Sequence, residues 1–298
     1  MRKILQALLL LAVVLIAIQY VDFSSVWNVS AVYLAAVTLV ALAANIARFY
    51  TLKLALLRRA IDLGWREWLS LGVYSSLLNL FLPLSAGLSI KAIYLKRKYR
   101  FRYADFIGTH SAITLLQVYF LVLVGGLSGL MSGKINDLAT ILIVALVLAA
   151  MSAPFFFAHE RIRSESKLIQ ALLDIYTSFL VLAKDLRFVA EVLVNMGVIL
   201  VFTCLAFYFS FGGLGVALGL PDAMLIAVAV SLLSLVNITP GNIGVQEFVV
   251  AFIGQALGGD FDSAFVAMLL IRAMSIVGFF LLMPAGMGLG LRRTGESV

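Results

Sequence analysis

The chain has 298 residues, of which 63% are hydrophobic and only 12% are charged, and its mean hydropathy is +1.10. Soluble globular proteins carry roughly twice that charged fraction, so the composition excludes a soluble protein and predicts an integral membrane protein. The net charge is +7, and the single cysteine, Cys204, excludes an intramolecular disulfide.

Long apolar runs predict six full transmembrane helices, since about 20 residues are needed to cross the hydrocarbon core. Their approximate bounds are 4–21, 32–56, 103–130, 138–157, 188–211 and 263–291. Two other apolar stretches, near 68–95 and 222–259, are each interrupted by proline and glycine and are too short for two crossings. We predict that each forms a re-entrant hairpin, which enters and leaves the membrane on one side. In a rival interpretation each hairpin is two short tilted full spans, which keeps every later loop on the same side of the membrane.

The basic residues orient this all-α layout. With the N-terminus in the cytoplasm, all 22 Lys and Arg residues except Lys134 and Arg272 lie on the cytoplasmic side or at its boundary. This distribution follows the positive-inside rule. We therefore predict a multi-pass protein of the cytoplasmic membrane, with both termini in the cytoplasm. A single membrane domain, 1–298, would consist of two halves, 1–157 and 188–298, joined by a cytoplasmic surface segment, 158–187, with an amphipathic helix at 168–183.

The breaks in the two hairpins resemble each other. Ser76-Leu-Leu-Asn-Leu precedes Pro83-x-x-x-Gly87, and Ser231-Leu-Leu-Ser-Leu precedes Pro240-x-x-x-Gly244. The predicted hairpins open to opposite sides, which indicates an inverted-topology repeat with a substrate site near the midplane between the halves. Backbone groups freed by a break are tolerated at membrane depth only in protein or along a watery cavity. The candidate site residues at the breaks are Pro83, Gly87, Asn237, Pro240, Gly241, Asn242 and Gly244.

Four charged residues belong to the same candidate site. Arg272 lies about nine residues into the last predicted span, where an arginine costs ~2.5–3.5 kcal/mol on insertion scales and needs a partner. Glu247 is the expected partner, either in a purely structural clamp or beside an anionic substrate. Lys91 and Arg48 could bind a phosphate from the cytoplasmic side or serve as ordinary positive-inside anchors.

Signatures of catalysis are missing from the sequence. It contains no phosphate-binding Gly-rich loop with a lysine, no paired metal-binding histidines and no cysteine cluster. Its two histidines, His110 and His159, are far apart. We therefore expect no enzymatic activity, no cofactor, no metal and no nucleic-acid partner.

Several motifs together resemble one membrane-protein family. Thr239-Pro-Gly-Asn-Ile-Gly-Val-Gln-Glu247 resembles the Pro-Gly-Gly-x-Gly-x-x-Glu signature of the lysylphosphatidylglycerol synthase transmembrane-region (flippase) family. Pro83-Leu-Ser-Ala-Gly-Leu-Ser-Ile-Lys91 resembles the family's earlier Pro-Gly-x-x-Gly-[acid]-x-x-Arg signature. Leu270-Ile-Arg272 and Ala47-Arg48-Phe49 resemble its Arg-bearing final and second spans. The departures from the pattern are Leu88 for an acid, Lys91 for Arg, Asn242 for Gly, Gln246 at an often basic position and His110 where Arg is common.

The resemblance implies a flippase-like transporter that moves an anionic or polyprenyl-phosphate-linked lipid through a cavity between the hairpins. Arg272, Glu247 and the backbone from Pro240 to Gly244 would line this cavity. The implied partners are a phospholipid or polyprenol-linked lipid, the membrane, and a second copy of the chain or a lipid-synthesising enzyme. Two alternatives stay open: a small-solute or ion transporter, and a non-transporting membrane subunit of a lipid synthase or glycosyltransferase.

Overall fold

A computed structural model describes residues 24–81, 86–133, 167–236 and 239–286. The spans expected at 4–21 and 138–157, and the residues Pro83 and Asn237, lie outside these ranges. Within them the regular structure is entirely helical. The α-helices are α1 (Ala31–Leu57), α2 (Trp65–Phe81), α3 (Ala86–Tyr99), α4 (Tyr103–Met131), α5 (Lys167–Ala183), α6 (Leu186–Gly213), α7 (Leu220–Leu233), α8 (Val245–Ala256) and α9 (Phe261–Gly286). Short 3₁₀ helices lie at Ser24–Asn28 and Pro240–Asn242.

Four helices, α1, α4, α6 and α9, are long and apolar enough to cross a membrane. They coincide within a few residues with four of the predicted spans, except that the predicted end of the last span lies beyond the described residues. The described chain repeats one order of elements: a long helix, two short helices and a long helix. The first set is α1 to α4 and the second is α6 to α9.

The long helices that begin the two sets are antiparallel. Tyr33, near the start of α1, packs against Gly213 at the end of α6. At the other end of the pair, Arg58 directly follows α1 and its Nη2 lies 2.7 Å from Glu191 Oε2 near the start of α6. We call this second end of the molecule the basic end, because the described loops there contain many Lys and Arg residues. The opposite end, called the acidic end, has Asp222, Asp260 and Asp262 and no basic residue in the described loops.

The first pair of short helices, α2 and α3, forms a hairpin that opens at the basic end. Glu67 in the first turn of α2 accepts hydrogen bonds from Tyr94, Lys98 and Tyr99 at the end of α3, at 2.7, 3.0 and 2.8 Å. The start of α2 and the end of α3 therefore lie side by side. The predicted hairpin near 68–95 is present as an element, with slightly wider bounds.

The second pair, α7 and α8, opens at the acidic end. Gly254, near the end of α8, packs against Ala264 in α9, since a Cβ added at Gly254 would be 2.5 Å from the Ala264 Cβ. Phe211, from the end of α6, would lie 3.8 Å from the same added atom. A large apolar cluster, which includes Phe211, Ala223, Val250 and Ala264, fills this end of the molecule. The two hairpins therefore point in opposite directions, as the sequence predicts.

The closed tips of the hairpins meet in the interior. Gly241 in the second break lies against Leu80 near the end of α2, so closely that a Cβ on Gly241 would be 3.1 Å from the Leu80 side chain. Gly241 has φ = 59°, in the left-handed region that favours glycine. The sequence break at this point thus allows two hairpins from opposite ends to touch.

Helix α5 confirms the predicted helix at 168–183 and shows where part of its apolar side goes. Phe179 and Leu182 are buried in a cluster with residues of α1, α4 and α6. Gly108 of α4 lies against the α5 backbone, since an added Cβ would be 2.4 Å from the Ile175 carbonyl oxygen. The Arg102–Asp174 ion pair at 3.0 Å adds a polar contact at the basic end. Part of the apolar side of α5 therefore packs on protein.

Candidate functional site

A cavity of about 470 Å³ lies where the two hairpin tips meet. Its walls come from both sets of helices, from α1 to α4 and from α6 to α9, together with the second break. It extends from mid-molecule towards the basic end: on α4 it is lined by residues from Phe106 to Gln117, and on α1 by residues from Asn45 to Leu52. The apolar cluster around Phe211 separates it from the acidic end.

The charged residues that line the cavity are all cationic. They are Arg48, Lys91 and Arg272, and its described lining contains no Asp or Glu. A buried cation without a counterion is costly at membrane depth, so the surroundings of each one decide what it can bind.

Arg272 is the most completely paired of the three. Its Nε donates to Glu247 Oε1 at 2.5 Å, and its Nη1 donates to the Gly241 carbonyl at 2.7 Å. Its Nη2 donates to Gln246 Oε1 at 3.2 Å and lies at the limit of hydrogen bonding, 3.5 Å, from the Asn242 carbonyl. The predicted contact between Arg272 and Glu247 is present, and it fastens the second break to α9.

Glu247 completes this fastening from behind the cavity wall. Its other oxygen, Oε2, accepts the Gly244 backbone N–H at 2.7 Å, which caps the first turn of α8. The side chain is 1% exposed and does not line the cavity. The expectation that Glu247 lines the cavity is therefore corrected: both of its oxygens face protein donors.

The second break is held in an unusual backbone conformation. Gly241, Asn242 and Gly244 have φ values of 59°, 51° and 84°, where glycine is easily accommodated and asparagine is tolerated. The Asn242 side-chain amide donates to the Leu233 carbonyl at 3.0 Å, which ties the break to the end of α7. Gly241 and Asn242 line the cavity, whereas Pro240 and Gly244 build the loop without lining it.

Arg48 projects into the cavity from α1 and has only neutral hydrogen-bond partners. Its guanidinium donates to Asn45 Oδ1 at 3.2 Å and to Thr203 Oγ1 at 2.9 Å. Asn45 and Thr203 also donate to carbonyls one turn back in their own helices, so each is fixed in place. Arg48 is thus oriented by α1 and α6 while its charge stays unpaired by any described carboxylate.

Lys91 enters the cavity from α3, one turn after Gly87. The Gly87 N–H donates to Asn79 Oδ1 at 2.7 Å, and a Cβ at this position would lie only 2.2 Å from the Ser75 carbonyl oxygen. Gly87 therefore sets the close approach of α2 and α3 and does not itself line the cavity. Lys91 makes no hydrogen bond or ion pair with any described residue.

Two hydroxyl groups in the cavity wall are not among the site residues predicted from the sequence. Thr109 on α4 and Ser231 on α7 are 1% and 5% exposed, and neither hydroxyl oxygen has a hydrogen-bond partner among the described residues. Both residues line the cavity. His110, beside Thr109, also lines it, and its ring stacks on Phe106 with the two planes 6° apart. A threonine or serine in an apolar helix normally bonds to its own backbone, so sequence alone gave no signal here.

The fold and the cavity define a class: a multi-pass helical membrane protein with a cationic cavity between two oppositely directed hairpins. The family model described as "Lysylphosphatidylglycerol synthase TM region" matches residues 3–283, and the chain belongs to this family. The family associates the protein with a lipid-related function in a membrane. Neither the curated proteins nor the solved structures give a match.

Proposed function

We propose that the protein is a flippase-like transporter, which moves an anionic or polyprenyl-phosphate-linked lipid across the cytoplasmic membrane. The observation that carries this proposal is the cavity lined by Arg48, Lys91 and Arg272, with no carboxylate in its described lining. Such a cavity attracts an anionic headgroup and repels cations, because low-dielectric walls strengthen the field of fixed charges. Membership of a lipid-related family supports the proposal that this anionic group belongs to a lipid.

We take the basic end as cytoplasmic, with both termini on that side, because basic loops are retained in the cytoplasm. The cavity would then face the cytoplasmic leaflet, and the apolar cluster at the acidic end would seal it from outside. The lipid headgroup would enter this cavity while its acyl or prenyl chains stay in the bilayer.

We further propose that both hairpins are re-entrant and that the two halves form an inverted-topology repeat. Helix α2, with 17 residues, is about 25 Å long at 1.5 Å per residue, which falls short of the ~30 Å hydrocarbon core. Helices α7 and α8, with 14 and 12 residues, are shorter still. Alternating access would rock one half against the other around the hairpin tips.

The proposed activity is a movement and involves no covalent step, so we do not assign the protein an enzymatic reaction. A small-anion transporter would use the same cavity with a soluble substrate. A non-transporting subunit would instead bind a synthase or glycosyltransferase and would tolerate loss of the cavity charges.

Mass spectrometry of the molecules that co-purify with the protein separates these three functions. We expect anionic phosphate-bearing lipids to be enriched relative to their share of the bulk membrane, and this enrichment to fall in an Arg48→Gln/Lys91→Gln double variant. A folded protein that enriches no lipid and instead retains a soluble anion would contradict lipid transport. Co-purification of a lipid-synthesising enzyme, with full activity of that enzyme retained in the double variant, would support the subunit function instead.

A further inference from the structure

The three cations of the cavity differ in what their surroundings leave free. Arg272 uses all three of its nitrogen atoms on protein acceptors, and its charge is matched by Glu247. Arg48 and Lys91 have no described carboxylate partner. The two short segments of the hairpin breaks outside the described ranges, 82–85 and 237–238, contain no acidic residue in their sequences. Within the described part of the chain, therefore, no carboxylate compensates the positive charges of Arg48 and Lys91.

The cavity also contains unused neutral donors. The hydroxyl groups of Thr109 and Ser231 are more than nine-tenths buried, line the cavity and have no hydrogen-bond partner among the described residues. A buried hydroxyl without a partner costs free energy, and a ligand in the adjoining cavity would supply the missing acceptor. One of these hydroxyls comes from each half of the molecule.

We propose that Arg48 and Lys91, together with these two hydroxyl groups, bind a phosphoryl group that carries about two negative charges. A phosphomonoester has about −1.5 to −2 charge at pH 7 and three acceptor oxygens, which matches two cations and two hydroxyl donors. A phosphodiester, with a single charge, leaves one cation uncompensated. The class of ligand is therefore a phosphomonoester or diphosphate. This inference rests on the proposed function and narrows its substrate: a lipid monophosphate is expected to bind more tightly than a phosphodiester lipid.

Arg272 has a different role in this arrangement. It positions the second break, whose Gly241 and Asn242 form part of the cavity wall, and it does not bind the phosphoryl group. The site is thus supplied by α1, α3, α4 and α7, while α9 holds the loop that closes one side of it.

The test measures binding by the full-length protein in a neutral detergent. Ligand-induced stabilisation is titrated with phosphatidic acid, phosphatidylglycerol, phosphatidylcholine and soluble glycerol 3-phosphate, since a ligand that binds the folded state raises its stability by mass action. We expect phosphatidic acid to bind more tightly than phosphatidylglycerol, and phosphatidylcholine to bind most weakly. Equal affinity for phosphatidic acid and phosphatidylglycerol would overturn the assignment of two charges.

Variants assign the site to its residues. Lys91→Gln is expected to weaken phosphatidic acid binding roughly 10-fold or more, the loss that follows removal of one hydrogen bond to a charged group. Lys91→Arg is expected to restore most of it. The matched control is Lys96→Gln on the same helix: Lys96 lies outside the cavity, over the Tyr103 ring at 4.2 Å. An equal loss in Lys96→Gln would reduce the effect to general attraction and overturn the site.

The remaining members of the site have their own variants. Arg48→Gln is expected to weaken phosphatidic acid binding as Lys91→Gln does. Arg48→Lys keeps the positive charge and is expected to bind within a few-fold of wild type; it is the variant to compare if Arg48→Gln misfolds. Thr109→Val and Ser231→Ala are expected to weaken binding a few-fold each without loss of folded protein. Unchanged affinity in Lys91→Gln and in both hydroxyl variants would refute the proposal.

The failure of this proposal can be told apart from the failure of the proposed function. Lipid movement that is insensitive to Lys91→Gln would refute the phosphoryl site and leave the transport function standing. Glycerol 3-phosphate bound as tightly as phosphatidic acid, and lost in Lys91→Gln, would support the phosphoryl site while assigning it to a soluble substrate.

Discussion

Replacement of Arg272 by alanine is expected to destabilise the protein strongly, because it strands Glu247 inside the molecule. The Glu247 side chain is 1% exposed, and after the replacement only the Gly244 N–H would remain bound to it. Removal of one partner of a buried ion pair typically costs ~3–5 kcal/mol. At about 1.4 kcal/mol per tenfold, this is roughly a 100- to 4,000-fold fall in the ratio of folded to unfolded protein. Glu247→Ala is expected to cost a similar amount.

A double change tests whether the stranded charge is the cause. Arg272→Met with Glu247→Gln leaves no unpaired charge, and the glutamine oxygen can still accept the Gly244 N–H. It does leave the Gly241 carbonyl without its donor, a loss of about 1–3 kcal/mol. We therefore expect the double variant to be more stable than either single alanine variant.

The assay is the apparent unfolding temperature and the yield of monodisperse protein in detergent. The matched control is Arg187→Ala, which also removes an arginine from a carboxylate but at a side chain that is 80% exposed. Exposed pairs contribute about 0–1 kcal/mol, so this control is expected to behave almost as wild type. Single variants that unfold at the wild-type temperature would refute the argument from burial. A well-folded double variant that no longer binds phosphatidic acid, while Lys91→Gln binds it normally, would make Arg272 a ligand and refute its positioning role.

Two further predictions concern the hairpins. Gly87→Ala places a Cβ only 2.2 Å from the Ser75 carbonyl oxygen, so it is expected to separate α2 from α3 and to lower the unfolding temperature. The control is Gly126→Ala, which has open space around it and is expected to leave the unfolding temperature unchanged. Equal unfolding temperatures for the two variants would contradict the close approach of α2 and α3. Cysteines introduced at Asp222 and Asp260, at the two ends of the second hairpin, on a Cys204→Ala background, are both expected to react with an impermeant reagent from outside, and labelling of only one would exclude a re-entrant hairpin.

Much of the fold could be predicted from the sequence because the bilayer restricts the choices. The described long helices follow apolar runs of sufficient length with few charged residues, and the basic loops at one end agree with the order of the spans. The contact of Arg272 with Glu247 could be predicted because an unpaired arginine at that membrane depth costs free energy and needs a partner. The opposite directions of the hairpins could be predicted from the number of full spans that separate them, which places their open ends on opposite sides of the membrane.

The composition of the cavity wall could not be predicted in the same way. Whether Thr109 and Ser231 turn to their own helices or to a cavity depends on how neighbouring helices pack, and no periodicity encodes that. The place of Gly87 likewise depends on a carbonyl twelve residues earlier, Ser75, which approaches it only in the folded hairpin. The sequence predicts Glu247 in the cavity wall as the partner of Arg272, but its carboxylate is covered by that arginine and by the start of α8.

The transport function is tested most directly by lipid translocation in reconstituted vesicles. A fluorescently labelled lipid monophosphate is placed in both leaflets, and a membrane-impermeant reductant quenches the label that reaches the outer leaflet. We predict that wild-type protein and Lys96→Gln allow quenching beyond the initial outer-leaflet share, at a rate that increases with protein per vesicle, and that Lys91→Gln slows this rate at equal protein density. Quenching that stops at the outer-leaflet share with well-folded wild-type protein, as in protein-free vesicles, would contradict the proposed function.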